Sequence, residues 1–201
     1  VQLAASIANG AVGATCNPVI AVAAIKADLP RWQARIAEIA AERPTASESD
    51  IGWQVVEELS IEAARLLEPA FAASGGRNGR LSMQTDPRLH RDPEALVAQA
   101  VHFSGLAENI IVKIPATAAG IVAMEEATFQ GVAINATVSF TVAQVVAVAE
   151  AIERGLDRRA AAGLPEVELG SVATLMGGRL DDWLKVVAGR QNLLLTPGIL
   201  D

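Results

Sequence analysis

The run Asn109-Ile110-Ile111-Val112-Lys113-Ile114-Pro115 leads through Ala116 to Thr117, then through a helical stretch to Gln130, and on to Gly131 and Val132-Ala133-Ile134-Asn135-Ala136-Thr137-Val138. The first seven residues are almost all branched and apolar, as in a strand covered on both faces. Thr117 can cap the first turn of a helix with its hydroxyl, and Gly131 supplies its end. Val132 to Val138 reads as a second strand. Strand, crossover helix and strand make a parallel unit, because two parallel strands need a long connection between them.

The same alternation continues outward. Upstream, Gly10 to Cys16 is a short strand of small residues, stopped at Asn17-Pro18 because a residue before proline disfavours the helical region. Val19 to Ala27 and Pro30 to Glu42 read as helices, the second with Trp32, Ile36 and Ile39 on a helical period. Asp50 is read as the cap of a long helix through Ala73, closed by Gly75-Gly76. Leu81 to Thr85 is a strand, and Asp92-Pro93-Glu94 starts a helix to Ser104. Downstream, Thr141 to Ala162 is a helix with Gly155 as its weak point. Leu169 to Met176 is a strand, Asp181 to Gly189 a helix, and Thr196-Pro197-Gly198 a turn. Five strands, each followed by helix, predict an α/β fold with a parallel sheet. An open doubly wound sheet and an eight-stranded barrel are its two regular solutions. No glycine-rich fingerprint follows the first strand, since Gly75-Gly76-Arg77-Asn78-Gly79 precedes one. That counts against a dinucleotide site.

Composition narrows the class. Hydrophobic residues make up 51% of the 201 and charged residues 19%, which excludes intrinsic disorder. Apolar runs fall far short of the roughly 18 residues of a membrane span. A net charge of −7 argues against a general nucleic-acid binder. A single cysteine excludes an internal disulfide framework, and no basic residue precedes Lys26, so the expected setting is cytoplasmic. No P-loop, metal-ligand cluster or histidine-based triad is visible. His90 and His102, the two histidines, read as helix-start or helix-surface residues.

Lysine is used three times, at Lys26, Lys113 and Lys185, so each placement carries information. Lys113 lies inside the branched apolar strand. Burial without a counter-charge lowers a lysine's pKa, and a neutral amine attacks carbonyls and forms Schiff bases. The other reading is a strand-end lysine that reaches out to solvent. Polar residues mark the end of every strand: Thr15 and Asn17, Gln84, Lys113, Asn135 and Thr137, Thr174. In barrels that rim is where sites are built. Capping of helices is the alternative for the Asn and Thr residues, and it fits Asn135 poorly because Asn135 sits mid-strand. Arg179 follows Gly177-Gly178 near a helix start, where backbone N–H groups and a guanidinium can hold phosphate. An ion pair with Asp181 or Asp182 is its rival role.

Taken together these segments resemble the transaldolase family. Gly13-Ala14-Thr15-Cys16-Asn17-Pro18 resembles its Thr-Ser-Asn-Pro signature, and Asn109 to Thr117 resembles its Schiff-base lysine strand. Gly79 to Pro87, Ile134 to Thr137 and Gly178 to Trp183 match further family segments in the same order. The resemblance implies a (β/α)₈ barrel whose lysine forms an imine with a ketose phosphate, cleaves it, and passes a dihydroxyacetone unit to an aldose phosphate. It implies that Lys113 is the nucleophile and that Gln84 holds the water of the imine chemistry. Asn17 and Asn135 are implied to bind substrate, Thr15, Thr137 and Thr174 to support the site, and Arg179 to bind phosphate. No cofactor and no metal are implied. The implied partners are sugar phosphates, with neither nucleic acid nor membrane, and a homo-oligomer is compatible with them.

Three departures accompany the resemblance. Transaldolases usually have Glu where this chain has Gln84, and Gln can hold water but cannot take its proton. Gln is similar to the related fructose-6-phosphate aldolases, yet those use a Tyr, and this chain has none; Met176 stands about where it would be. The length also falls below the roughly 250 residues typical of such a barrel. The expectation is therefore one barrel domain over residues 1–201, holding five of eight βα units, the second to the sixth, with the family's acid/base Asp before Val1 and a second phosphate Arg after Asp201. The chain by itself is then expected to be inactive. A lyase that releases free dihydroxyacetone and a non-catalytic barrel piece are the alternatives to transfer.

Overall fold

The branched apolar segment at Ile110–Pro115 forms the central strand, β3, of a five-stranded sheet in the computed structural model of the chain, which describes residues 2–193. The other strands are β1 (Gly13–Cys16), β2 (Arg80–Gln84), β4 (Ile134–Ser139) and β5 (Val172–Leu175). All pair in parallel in the order β1-β2-β3-β4-β5. A doubly wound sheet reverses its strand order at a switch point, whereas a barrel adds each strand beside the last. The sheet has no such reversal, and its strands curl into a half-barrel of the (β/α)₈ type.

Helix α1 (Gln2–Ala8) precedes β1, and helices follow each strand: α2 (Pro18–Ala27), α3 (Leu29–Glu42), α4 (Glu48–Ala73), α5 (Pro93–Ser104), α6 (Ala118–Phe129), α7 (Val142–Ala161) and α8 (Gly177–Arg190). A single 3₁₀ turn, Pro87–Leu89, lies between β2 and α5. Among the described residues, no helix is long and apolar enough to cross a membrane. The expected turn at Thr196-Pro197-Gly198 lies outside the described residues.

Alternation along the strands sets two faces. Leu81, Met83, Val112, Ile114, Ile134 and Ala136 share the outer face and pack under the helices with Leu67, Leu96, Phe103, Met124 and Val148. A smaller cluster of Trp32, Ile39 and Val55 joins α3 to α4. The inner face carries Thr15, Ser82, Gln84, Lys113 and Asn135. At the N-terminal end of the sheet, Asn109 is 1% exposed and donates both amide hydrogens, to Ala64 O and Gly79 O at 2.8 Å each. Arg80 crosses the same end and donates to Gly76 O and Leu169 O at 2.7 Å.

Four details differ from the sequence expectations. The cap of α4 is Ser47, with Asp50 at the third helical position. Ser47 Oγ accepts from Asp50 N–H at 3.2 Å, and Asp50 accepts from Ser47 N–H at 2.9 Å, which completes a capping box. Helix α8 starts at Gly177, four residues before Asp181, so Arg179 lies in its first turn. The last strand is confined to Val172–Leu175, all four residues being exposed on the edge of the sheet. Gly155 is a close-packing position and no weak point. A Cβ there would sit 2.6 Å from Glu125 O and 2.7 Å from Thr128 Cβ, so its absence lets α6 and α7 touch.

Candidate active site

The register of the sheet assembles the polar residues at the C-terminal rim. Lys113 pairs with Gln84 on one side and with Asn135 on the other. Side chains at paired positions of parallel strands point to the same face, so all three share the inner face. Lys113 is half-buried, where a closed barrel core would bury it more fully, because the inner face of the arc is open. Burial pushes its pKa below the usual lysine value, with the nearby Cys16 opposing that shift. Among the described residues no carboxylate pairs with it. The amine is therefore held near the rim without a counter-ion, which favours its neutral, nucleophilic form.

A hydrogen-bonded row crosses the inner face beside it. Asn135 Nδ2 donates to Ser82 Oγ at 2.7 Å, and Thr174 Oγ1 donates to Asn135 Oδ1 at 2.9 Å. The row links β2, β4 and β5 and fixes the orientation of the Asn135 amide beside Lys113. Ser82 belongs to this site and was not foreseen. The signal for it was present, since Ser82 stands two residues before Gln84 and so on the same face of its strand.

Thr137 is 3% exposed, and its hydroxyl donates to Met176 Sδ at 3.4 Å, as does the N–H of Val138. The thioether of Met176 thus ties the ends of β4 and β5 together. Val138 has φ 58° where the register between β4 and β5 slips. For a β-branched residue that is a strained conformation, of the kind that gathers at ligand sites.

The remaining expected residues are placed as follows. Thr15 is exposed on β1, in register with Ser82. Asn17 caps α2, its Oδ1 accepting from Ile20 N–H at 2.9 Å, so its oxygen is engaged by the helix start. Gln84 is half-buried. Arg179 is exposed in the first turn of α8 beside Gly177-Gly178, and among the described residues it forms no ion pair with Asp181 or Asp182. Lys26 and Lys185 are exposed on α2 and α8, away from the strand ends. Among the described residues no group of three or more His, Cys, Asp or Glu is placed to hold a metal. A concavity of about 490 Å³ between Phe71, Arg77, Arg80, Glu108 and Glu168 lies at the opposite end of the sheet. The rim itself is an open face and not a cavity, since the arc supplies a wall on one side only.

A family profile described as Transaldolase/Fructose-6-phosphate aldolase matches residues 2–199. The chain belongs to that family. Among its relatives is Transaldolase 1 of Streptomyces avermitilis, 36% identical over 172 residues, which cover 85% of this chain and 45% of the relative. Transaldolase 1 of Streptomyces coelicolor is likewise 36% identical, over 85% of this chain and 44% of the relative. The transaldolase of Thermobifida fusca is 33% identical over 179 residues, with 85% and 46% covered. The chain therefore spans less than half the length of these family members.

Proposed function

We propose that the intact protein is a transferase of the transaldolase type, working through an imine on Lys113. The observation that carries the reading is the half-buried Lys113 on the central strand, which pairs with no carboxylate among the described residues and is flanked in register by Gln84 and Asn135. The neutral amine adds to the ketone carbon of a ketose phosphate, and loss of water gives the protonated imine. That imine draws the electrons of the adjacent carbon–carbon bond as it breaks, while the hydroxyl on the departing carbon passes its proton to a general base, the role that the resemblance gives to the family's acid/base Asp. An aldose phosphate leaves, and a three-carbon enamine stays on Lys113. The enamine carbon then attacks the aldehyde of a second aldose phosphate, whose oxygen takes the proton back from the same acid, and water returned to the imine frees the product and the amine.

Each rim residue has a role in that sequence. Gln84 holds the water by hydrogen bonds, although it cannot take the proton. Asn135, oriented by Ser82 and Thr174, faces the substrate hydroxyls next to the imine. Thr15 on β1 and Asn17 at the start of α2 face the same substrate, and Thr137 supports the end of β4. Arg179 and the free N–H groups at the start of α8 bind the phosphate. The reading places the protein in the cytoplasm, where its substrates are sugar phosphates and the thiol of Cys16 stays reduced.

Gln84 favours one rival, an aldolase-type lyase that releases dihydroxyacetone. Acceptor dependence separates the two. With fructose 6-phosphate alone, a transferase stalls after one turnover per site. Adding erythrose 4-phosphate restores steady turnover. Steady release of free dihydroxyacetone without acceptor contradicts the transferase reading and supports the lyase.

A further inference from the structure

Thr85 directly follows Gln84 and is 1% exposed. It donates twice to the main-chain carbonyl of Lys113, through its N–H at 3.0 Å and through its hydroxyl at 3.2 Å. The next residue, Asp86, is 6% exposed and is pinned from two helices. Its N–H donates to Gln99 Oε1 of α5 at 2.6 Å. Its carboxylate accepts the indole N–H of Trp53 on α4 at 3.1 Å and the backbone N–H of Arg88 at 2.9 Å. The Arg88 guanidinium closes on the same carboxylate at 2.5 to 3.0 Å and reaches on to Ser49 Oγ at 2.8 Å. Trp53 in turn packs on Phe103 of α5, ring centres 5.8 Å apart.

An ion pair with one exposed partner, as Arg88 is, is poor evidence for stability, because such pairs contribute little net free energy in water. What this network fixes is position. The main chain at residues 85–86 is tied to α4 and α5 at once, and its free end is Thr85, both of whose donors meet Lys113. The amine of Lys113 stands at the end of a flexible side chain. A shift of its main chain therefore moves the nucleophile by at least as much, and a misplacement of about 1 Å can cost on the order of 10²-fold in rate. Burial and the Arg88 guanidinium act in opposite senses on the Asp86 carboxyl; the guanidinium prevails and keeps it ionised.

We infer that Asp86 is a positioning residue for the nucleophile, acting through Thr85 on the main chain of Lys113. The inference rests on the imine reading of Lys113 given above. Asp86 touches no reacting atom. It holds the end of β2 so that the lysine and Gln84 keep their register.

The test compares single-turnover borohydride trapping and steady-state kinetics in the protein and its variants, using fructose 6-phosphate as probe. Asp86→Asn keeps the shape and loses the charge. It is expected to lower kcat and the trapping rate by about 10- to 100-fold, with KM changed less than about threefold. Thr85→Val, which removes the hydroxyl donor, is expected to give a loss of the same kind. The double variant is expected to be no slower than the slower single, because both act on one contact. Glu57→Gln removes the charge from the Glu57–His102 contact at 3.0 Å between the same two helices, away from β2, and is expected to leave kcat unchanged. Wild-type kcat in Asp86→Asn, additive losses in the double variant, or an equal loss in Glu57→Gln each overturn the inference. A wild-type protein that traps normally while Asp86→Asn traps as fast overturns this inference alone. A wild-type protein that is never trapped overturns the imine reading and this inference with it.

Discussion

Lys113→Met is expected to reduce turnover by on the order of 10⁴-fold or more, because no other residue at the rim carries an amine able to replace it. The same substitution is expected to stabilise the fold at pH values where the buried amine is still protonated. Burial lowers the pKa of Lys113 in the folded protein, so the folded state binds that proton less tightly than the unfolded chain does. Below the lowered value both states are charged, and the fold bears the whole cost of burying the ammonium. Between that value and the ordinary lysine value the cost falls away, and above both it is gone. The stability advantage of Met should therefore be largest below the lowered pKa and shrink as the pH rises through it. Thermal unfolding of the two proteins across that range measures it. An advantage that grows with pH would mean that Lys113 is stabilised as a cation, and the nucleophile assignment would lose its physical basis.

Gly79→Ala is expected to be the most damaging small substitution outside the site. Gly79 has φ +72°, which glycine adopts freely and alanine does not. A Cβ there would lie 2.1 Å from Phe71 N, 2.5 Å from Phe71 Cα and 2.6 Å from Leu67 O. These are main-chain atoms of α4, so no side chain can turn aside to make room. Gly79 also donates to Val12 O at 2.7 Å and accepts from Asn109 at 2.8 Å, which joins the approaches to β1 and β3. The helix would have to move off the sheet, at about 3–5 kcal/mol, a large share of the roughly 5–15 kcal/mol that holds a domain folded. Gly52→Ala on α4, where a Cβ meets nothing within 4 Å, is expected to gain about 0.5–1 kcal/mol. Denaturant midpoints of the two variants check the contrast. A loss below about 1 kcal/mol for Gly79→Ala would show that α4 is not seated as described.

The order of strands and helices was legible because each βα unit carries its own local signals. Asp92 and Thr117 cap the helices where the sequence placed them, and the apolar run around Lys113 is a fully paired central strand. Positions whose meaning depends on a distant element were not legible. Gly155 looks like a defect in a helix until α6 is seen against it. Asn109 looks like the first residue of a strand, yet its amide bonds Ala64 and Gly79, from 45 and 30 residues away. Edge strands were overestimated for a related reason. The apolar pattern runs from Leu169 to Met176, but with no sixth strand beside it among the described residues, only Val172–Leu175 keeps ladder geometry.

At the rim the sequence supplied the residue types and the register supplied their arrangement. Lys113, Gln84 and Asn135 were recognisable from strand-end positions, and the pairing of β2, β3 and β4 places them side by side. Asn17 was read as the stop of the first strand and as a substrate ligand, with helix capping as the alternative, and its oxygen does serve the start of α2. Ser82 and Thr85 went unnoticed because a hydroxyl in a strand is common, and only the partner shows that one aligns Asn135 and the other holds the Lys113 carbonyl.

The central claim is that Lys113 forms the imine, and borohydride reduction in the presence of fructose 6-phosphate tests it most directly. The chain has three lysines, so peptide mapping of the reduced protein assigns the adduct without ambiguity. The expected result is one three-carbon dihydroxyacetone adduct per chain, on the peptide that contains Lys113. An adduct on Lys26 or Lys185, or no adduct while aldol transfer proceeds, would contradict the claim.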